Sequence, residues 1–189
     1  MYHPELDSKI LSIIKKAVTI RTTHTYEYQY YLQLANVTAK KLIENYDTLE
    51  EIDFALGKSG VLLSLIKYYQ FTNDNTLKTF IHNSIGEIYH YFLQRYIAKE
   101  SILDYSFAHG YCGIAYALFA YSKVLEPSMF YNDLHTFHTE LKKLLEKVTS
   151  NTENLGNLQL SWCEGISGII LYLCMYDCDG NKDIISKYQ

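Results

Sequence analysis

The chain has 189 residues and a hydrophobic fraction of 48%, which is enough apolar material for one packed domain. Its net charge of −4 argues against nucleic acid as the main partner, and no apolar run reaches the roughly 18 residues that could span a membrane. The N-terminus carries Glu5 and Asp7 and shows no signal peptide, so a cytoplasmic location is expected.

Four segments have the apolar period of an amphipathic helix, with apolar residues recurring at steps of three or four. The chain holds only two prolines, which favours long helices, and no segment of comparable strength alternates with the period of a strand. The predicted fold is therefore all-α. The helical segments are residues 6–17, 31–43, 77–92 and 134–148, and polar breaks fall at residues 72–75, 126–128 and 150–157.

A glycine phrase of the form Gly-x-x-Gly, followed by apolar residues, occurs three times. The phrases begin at Gly57, Gly110 and Gly165, which are 53 and 55 residues apart. A near-constant period of that length is typical of an array of similar units. Each unit is predicted to be a helical hairpin whose more apolar helix starts at the glycines and lies inside. Glycine at these positions allows unusual backbone dihedrals and a close approach of a neighbouring backbone.

The residues around these glycines resemble the lanthionine synthetase C-like family, the LanC cyclases. Residues 162–165 (Trp-Cys-Glu-Gly) are similar to the family's Trp-Cys-x-Gly phrase, whose cysteine binds zinc. Residues 108–110 (Ala-His-Gly) are similar to the Ala-His-Gly phrase, whose histidine is proposed to move protons. Asp53 stands four residues before Gly57, as a catalytic aspartate does in an earlier repeat of the family.

The resemblance implies an α/α toroid, which in this family contains seven helical hairpins. It also implies a zinc enzyme that adds a cysteine thiol of a precursor peptide to a dehydrated serine or threonine, as in lantibiotic biosynthesis. Cys163 would then be a zinc ligand, and His109 and Asp53 would be the catalytic acid–base groups. The implied partners are the precursor peptide and either a dehydratase or a second LanC-like chain.

The chain departs from the family pattern at the metal site. The family completes its zinc site with a Cys-His-Gly phrase, and no Cys-His pair occurs in this sequence. About three of the seven repeats are recognisable, in a single domain with N-terminal helices in residues 1–50 and the repeats in residues 51–189. The expectation is an incomplete ring that does not bind zinc tightly as an isolated chain.

Three functional alternatives are compatible with the sequence. The chain is a lanthionine-forming cyclase if missing repeats complete it, a non-catalytic partial ring that binds a peptide or a partner chain, or a truncated remnant. Glu164, Tyr111 and Tyr116 are expected to line the peptide cavity. His109, Cys112 and Cys163 can form an improvised metal site, but the better interpretation is that Cys112 packs in the core and His109 bonds to the backbone.

Two further pairs have helical spacing that would suit a metal ligand pair. Cys174 and Cys178 are four residues apart, among apolar neighbours, and are expected to fill the core. His135 and His138 are three residues apart, beside charged residues, and are expected on a solvated outer face.

Overall fold

The computed structural model describes residues 25–97, 105–127, 129–150, 161–163 and 165–176 of the chain. Within these ranges the chain forms α-helices and one short 3-10 helix (Tyr46–Thr48) and no strand, which confirms the all-α prediction. The predicted helix at residues 6–17 lies outside the described residues. The helices are α1 (Thr25–Asn45), α2 (Lys58–Thr72), α3 (Asn75–Ile97), α4 (Tyr111–Val124), α5 (Tyr131–Thr149) and α6 (Ile166–Tyr176).

The chain divides into two compact units, Met1–Tyr46 and Asp47–Gln189. The first unit contains α1, which exposes Tyr30, Leu34 and Val37 along one face. The second unit contains the other five helices and all three glycine phrases. This division falls close to residue 50, where the sequence predicts a change from N-terminal helices to repeats, while the single-domain assignment stays a prediction.

The three apolar helices of the second unit form a row in which α4 lies between α2 and α6. Helix α3 packs against α2 and α4, and α5 packs against α4. Ten of the fourteen residues of α4 are buried, as expected for the middle of the row. The three helices begin at Lys58, Tyr111 and Ile166, one residue after the first glycine of each phrase. The predicted helix starts at the three glycine phrases are therefore confirmed.

A two-residue turn joins α2 to α3, at the polar break that the sequence predicts. Asn73 takes a left-handed backbone conformation (φ 54°), and its amide donates to the carbonyl of Tyr69 at 2.8 Å, which ends α2. The Asp74 carboxylate accepts the amides of Thr76 (2.7 Å) and Leu77 (3.3 Å), which begins α3. So short a connection makes α2 and α3 an antiparallel hairpin.

Helix α5 corrects one expectation about the outer face. His135 is exposed and stacks on Tyr131, as expected. His138 is only 3% exposed, because its ring packs on Tyr176 of α6 at 4.3 Å and lies near Tyr172. The expectation of a solvated position was wrong for His138, since its covering residues come from a distant part of the chain.

A hydrogen bond between α3 and α5 makes the stability of the fold depend on pH in the alkaline range. The Tyr89 hydroxyl donates to Oδ2 of Asp133 at 2.6 Å. This bond, together with partial burial and the Asp133 charge, raises the pKa of Tyr89 from 10.0 to about 12. The neutral phenol is thus favoured in the folded state. Its contribution to stability is complete below pH 10, the pKa of an unfolded tyrosine, and is lost as the pH rises through 12.

We expect Tyr89→Phe to lower the free energy of unfolding by about 1 kcal/mol at neutral pH, because the Asp133 carboxylate loses its donor. The deficit should shrink as the pH rises above about 10. Urea unfolding at several pH values measures both quantities, with the exposed Tyr131→Phe as the control. If the difference in unfolding free energy between Tyr89→Phe and the wild type stayed constant up to about pH 12, the assigned hydrogen bond would be contradicted.

Candidate functional site

The loops before α2, α4 and α6 place an aromatic residue three positions before each first glycine. These residues are Phe54, Phe107 and Trp162, which repeat with the same spacing as the glycines. Their ring centroids are 4.8 Å apart for Phe54 and Phe107 and 5.5 Å apart for Phe107 and Trp162. Phe54 and Trp162 are also near each other, at 6.4 Å. This aromatic cluster joins the starts of the three inner helices, and no prediction from the sequence included it.

The second glycine of each later phrase makes room for an aromatic residue of the preceding repeat. A Cβ atom at Gly113 would collide with the carbonyl oxygen of Phe107 and lie 2.5 Å from the Cβ of Phe54. A Cβ atom at Gly168 would lie 2.8 Å from the Cβ of Phe107. Close approach is therefore confirmed as a reason for glycine here. The expected unusual dihedrals are wrong, because no described glycine has a positive φ.

Backbone hydrogen bonds hold the first two loops together. The amides of Phe54 and Ala55 both donate to the carbonyl oxygen of Ala108, at 3.1 and 2.9 Å. Asp53 and His109 are the chain neighbours of these bonded residues. The loop geometry therefore places the carboxylate of one repeat beside the imidazole of the next.

Asp53 and His109 form a hydrogen-bonded pair. Nδ1 of His109 lies 2.7 Å from Oδ2 of Asp53, and Oδ1 of Asp53 accepts the amide of Leu56 at 2.7 Å. Because a carboxylate only accepts, Nδ1 carries the proton in this contact. The Asp53 side chain is 12% exposed and that of His109 is 40% exposed. Within the described part of the chain Nε2 of His109 has no hydrogen-bond partner, so it is available to a substrate.

Asp53 also has a role in the local backbone structure. An aspartate just before a helix can also serve as a helix cap, with no part in catalysis. The N-cap residue of α2 is Gly57, with no side-chain cap, and Asp53 instead closes the turn that leads into it through the Leu56 amide. Since one carboxylate oxygen holds the turn and the other holds His109, both roles are compatible.

The described residues do not fit a zinc site. Cys163 is half-buried in the third loop, at the position that Ala108 occupies in the second. No group of three or more His, Cys, Asp or Glu side chains that could hold a metal occurs in the described part of the chain. A protein zinc site needs at least three such ligands. The improvised site of His109, Cys112 and Cys163 is therefore not formed.

Cys112 is a core residue. It is completely buried in α4, and this burial raises the pKa of its thiol well above the usual value. Its charge would also raise the pKa of the buried Tyr172 hydroxyl, after the larger effect of burial itself. A thiol that stays protonated and inaccessible is a poor ligand and a poor nucleophile.

The other residues predicted to lie at or near the site differ in their burial. Tyr111 is 4% exposed and packs in the core, so the expectation that it lines a cavity was wrong. Tyr116 is half-buried, with its ring 5.9 Å from that of Phe107. Cys174 is half-buried in α6. Glu164 and Cys178 lie outside the described residues.

The family described as lanthionine synthetase C-like protein matches residues 11–187, nearly the whole chain. No curated protein matches the chain, and no solved structure matches it. Among the described residues, no helix is both long and apolar enough to cross a membrane.

Proposed function

Because the chain belongs to the lanthionine synthetase C-like family, we propose that it forms lanthionine by adding a cysteine thiol of a peptide to a dehydrated serine or threonine. The observation that carries this proposal is the Asp53–His109 pair, in which a half-exposed imidazole is held by a largely buried carboxylate. The proposed partners are a precursor peptide and a dehydratase that supplies it, in the cytoplasm.

The reaction needs one group that takes a proton and gives it back. The thiol loses its proton to Nε2 of His109, the sulfur bonds to the β-carbon of the dehydro residue, and the double-bond electrons move towards the α-carbon and its carbonyl as an enolate. The imidazolium then returns the proton to the α-carbon. All atoms of the peptide remain in the product, and neither an oxidant nor a reductant is consumed. An imidazole titrates near neutral pH, which suits both transfers.

Asp53 acts through His109. Its carboxylate keeps the proton on Nδ1, which leaves Nε2 free to accept a proton, and it stabilises the imidazolium that results. The bond from the Leu56 amide fixes the carboxylate, so the imidazole has a defined orientation. Asp53 is therefore a positioning residue in this proposal. A zinc ion on Cys163 stays a prediction from the family resemblance, and no step above depends on it.

A synthetic peptide with one cysteine and one dehydroalanine tests the proposal. The protein is expected to consume the free thiol without changing the mass of the peptide, because intramolecular addition is an isomerisation. Asp53→Asn should slow this thiol loss by about a hundredfold, since the imidazole loses its orienting charge.

Asp74→Asn is the matched control for this change. Asp74 also accepts backbone amides in a turn, but within the described residues the bonds of its carboxylate go only to Thr76 and Leu77 of its own helix start. It should keep the wild-type rate. An equal rate in Asp53→Asn would contradict the proposed role of the pair. Peptide binding without any thiol loss would favour the alternative of a non-catalytic partial ring that binds a peptide.

A further inference from the structure

Leu56 is an exposed apolar side chain at the candidate site. At 61% exposure it is the most exposed of the large hydrophobic side chains in the described part of the chain. Its neighbours in the same loop, residues 52–55 and Gly57, are buried or half-buried. A single exposed leucine is ordinary on a protein surface, and what distinguishes Leu56 is its place beside Asp53, whose carboxylate accepts its amide.

Hydrogen bonds fix Leu56 relative to the imidazole. Its amide donates to Oδ1 of Asp53 at 2.7 Å, and Oδ2 of the same carboxylate lies 2.7 Å from Nδ1 of His109. The preceding residue, Ala55, is bonded to the carbonyl of Ala108, which precedes His109. Leu56 is therefore a fixed part of the site.

Leu56 and His109 occupy the same position in successive repeats, immediately before the first glycine. Leu56 is the one exposed residue of residues 52–57, and His109 is the one exposed residue of residues 105–110. The first loop thus exposes only the apolar Leu56, and the second exposes only His109, which can transfer a proton. Because one carboxylate bonds both the Leu56 amide and Nδ1 of His109, a peptide whose reacting residue reaches the imidazole has the adjacent part of its chain near Leu56.

We propose that Leu56 forms an apolar subsite, which binds an apolar side chain of the peptide next to its reacting residue. The identity of the ligand as a peptide rests on the proposed function. Contact with an apolar side chain removes apolar surface from water on both partners, which favours binding. A charged side chain at the same place would lose part of its hydration, and the nearby Asp53 carboxylate is largely buried and already bonded to the Leu56 amide and to His109. The site should therefore discriminate between peptides by the residue beside the reacting one.

Two unreactive peptides test the subsite by binding alone. Each contains the cysteine and has alanine in place of the dehydro residue, and they differ only in whether leucine or lysine precedes that alanine. Calorimetry is expected to show that the wild-type protein binds the leucine peptide about tenfold more tightly. Leu56→Ser should abolish this preference and Leu56→Glu should reverse it. Leu171→Ser, at the exposed leucine of α6, is the matched control and should retain it.

The outcomes separate the subsite from the reaction. Equal affinity for the two peptides, no binding of either, or a preference that survives in Leu56→Ser would overturn the subsite. The same peptides with dehydroalanine restored then report thiol loss. A preference that depends on Leu56, without thiol loss, would support the subsite and overturn the proposed function. Thiol loss without any preference would support the function and overturn the subsite.

Discussion

Replacing Gly113 with alanine is expected to destabilise the fold by about 3 kcal/mol, although alanine is the better helix former. The added Cβ would collide with the carbonyl oxygen of Phe107 and lie 2.5 Å from the Cβ of Phe54. Neither atom is at the end of a flexible side chain that can move away. Relief therefore requires the loop before α4 to shift and the first repeat to move away, which would disturb the aromatic cluster and the loop bonds at the site.

Gly86→Ala is the matched control, because Gly86 also lies inside a helix and a Cβ there would have no neighbour within 4 Å. That change should stabilise the protein by about 0.5–1 kcal/mol. Urea unfolding of both variants gives the comparison. If Gly113→Ala were as stable as Gly86→Ala, the close packing of successive repeats around the second glycine would be wrong.

His109→Gln is expected to slow thiol addition by about 10²- to 10⁴-fold, the range in which a positioned histidine contributes as a general acid–base group. Glutamine has an amide that can still donate to Asp53, but it cannot take up and return a proton near neutral pH. The fold should be retained, because the His109 side chain is 40% exposed and its one hydrogen bond goes to Asp53.

The exposed His135→Gln serves as the control for this loss, since His135 lies on α5 and stacks on Tyr131. Its rate of thiol loss should equal that of the wild type. Circular dichroism and urea unfolding establish whether each variant is folded. A folded His109→Gln protein with the wild-type rate would show that the imidazole does not transfer the proton.

The repeat architecture can be predicted from the sequence because it depends on residues that are close together in the chain. The inner helices start one residue after Gly57, Gly110 and Gly165, as the glycine period predicts. A glycine that must admit a neighbouring backbone leaves its mark in residue identity, which a single sequence displays. The polar break at residues 72–75 is equally local, since Asn73 and Asp74 end one helix and begin the next through their own bonds.

The site is less accessible to sequence reasoning because its contacts join distant residues. Asp53 and His109 are 56 residues apart, and the family resemblance is what marked both as acid–base groups. The aromatic cluster could have been found from the even spacing of Phe54, Phe107 and Trp162, but isolated aromatic residues read as ordinary core. The exposure of Leu56 leaves no mark in the sequence, because apolar residues are expected to be buried.

A double-mutant cycle of Asp53→Asn and His109→Gln, with the rate of thiol loss as its readout, tests whether the two residues act as one proton-transfer unit. Because Asp53 works through the imidazole, removing it after His109 is gone should cost nothing further. The double variant is therefore expected to be no slower than His109→Gln alone. If instead the two single effects multiply in the double variant, each residue acts independently and the paired mechanism is contradicted.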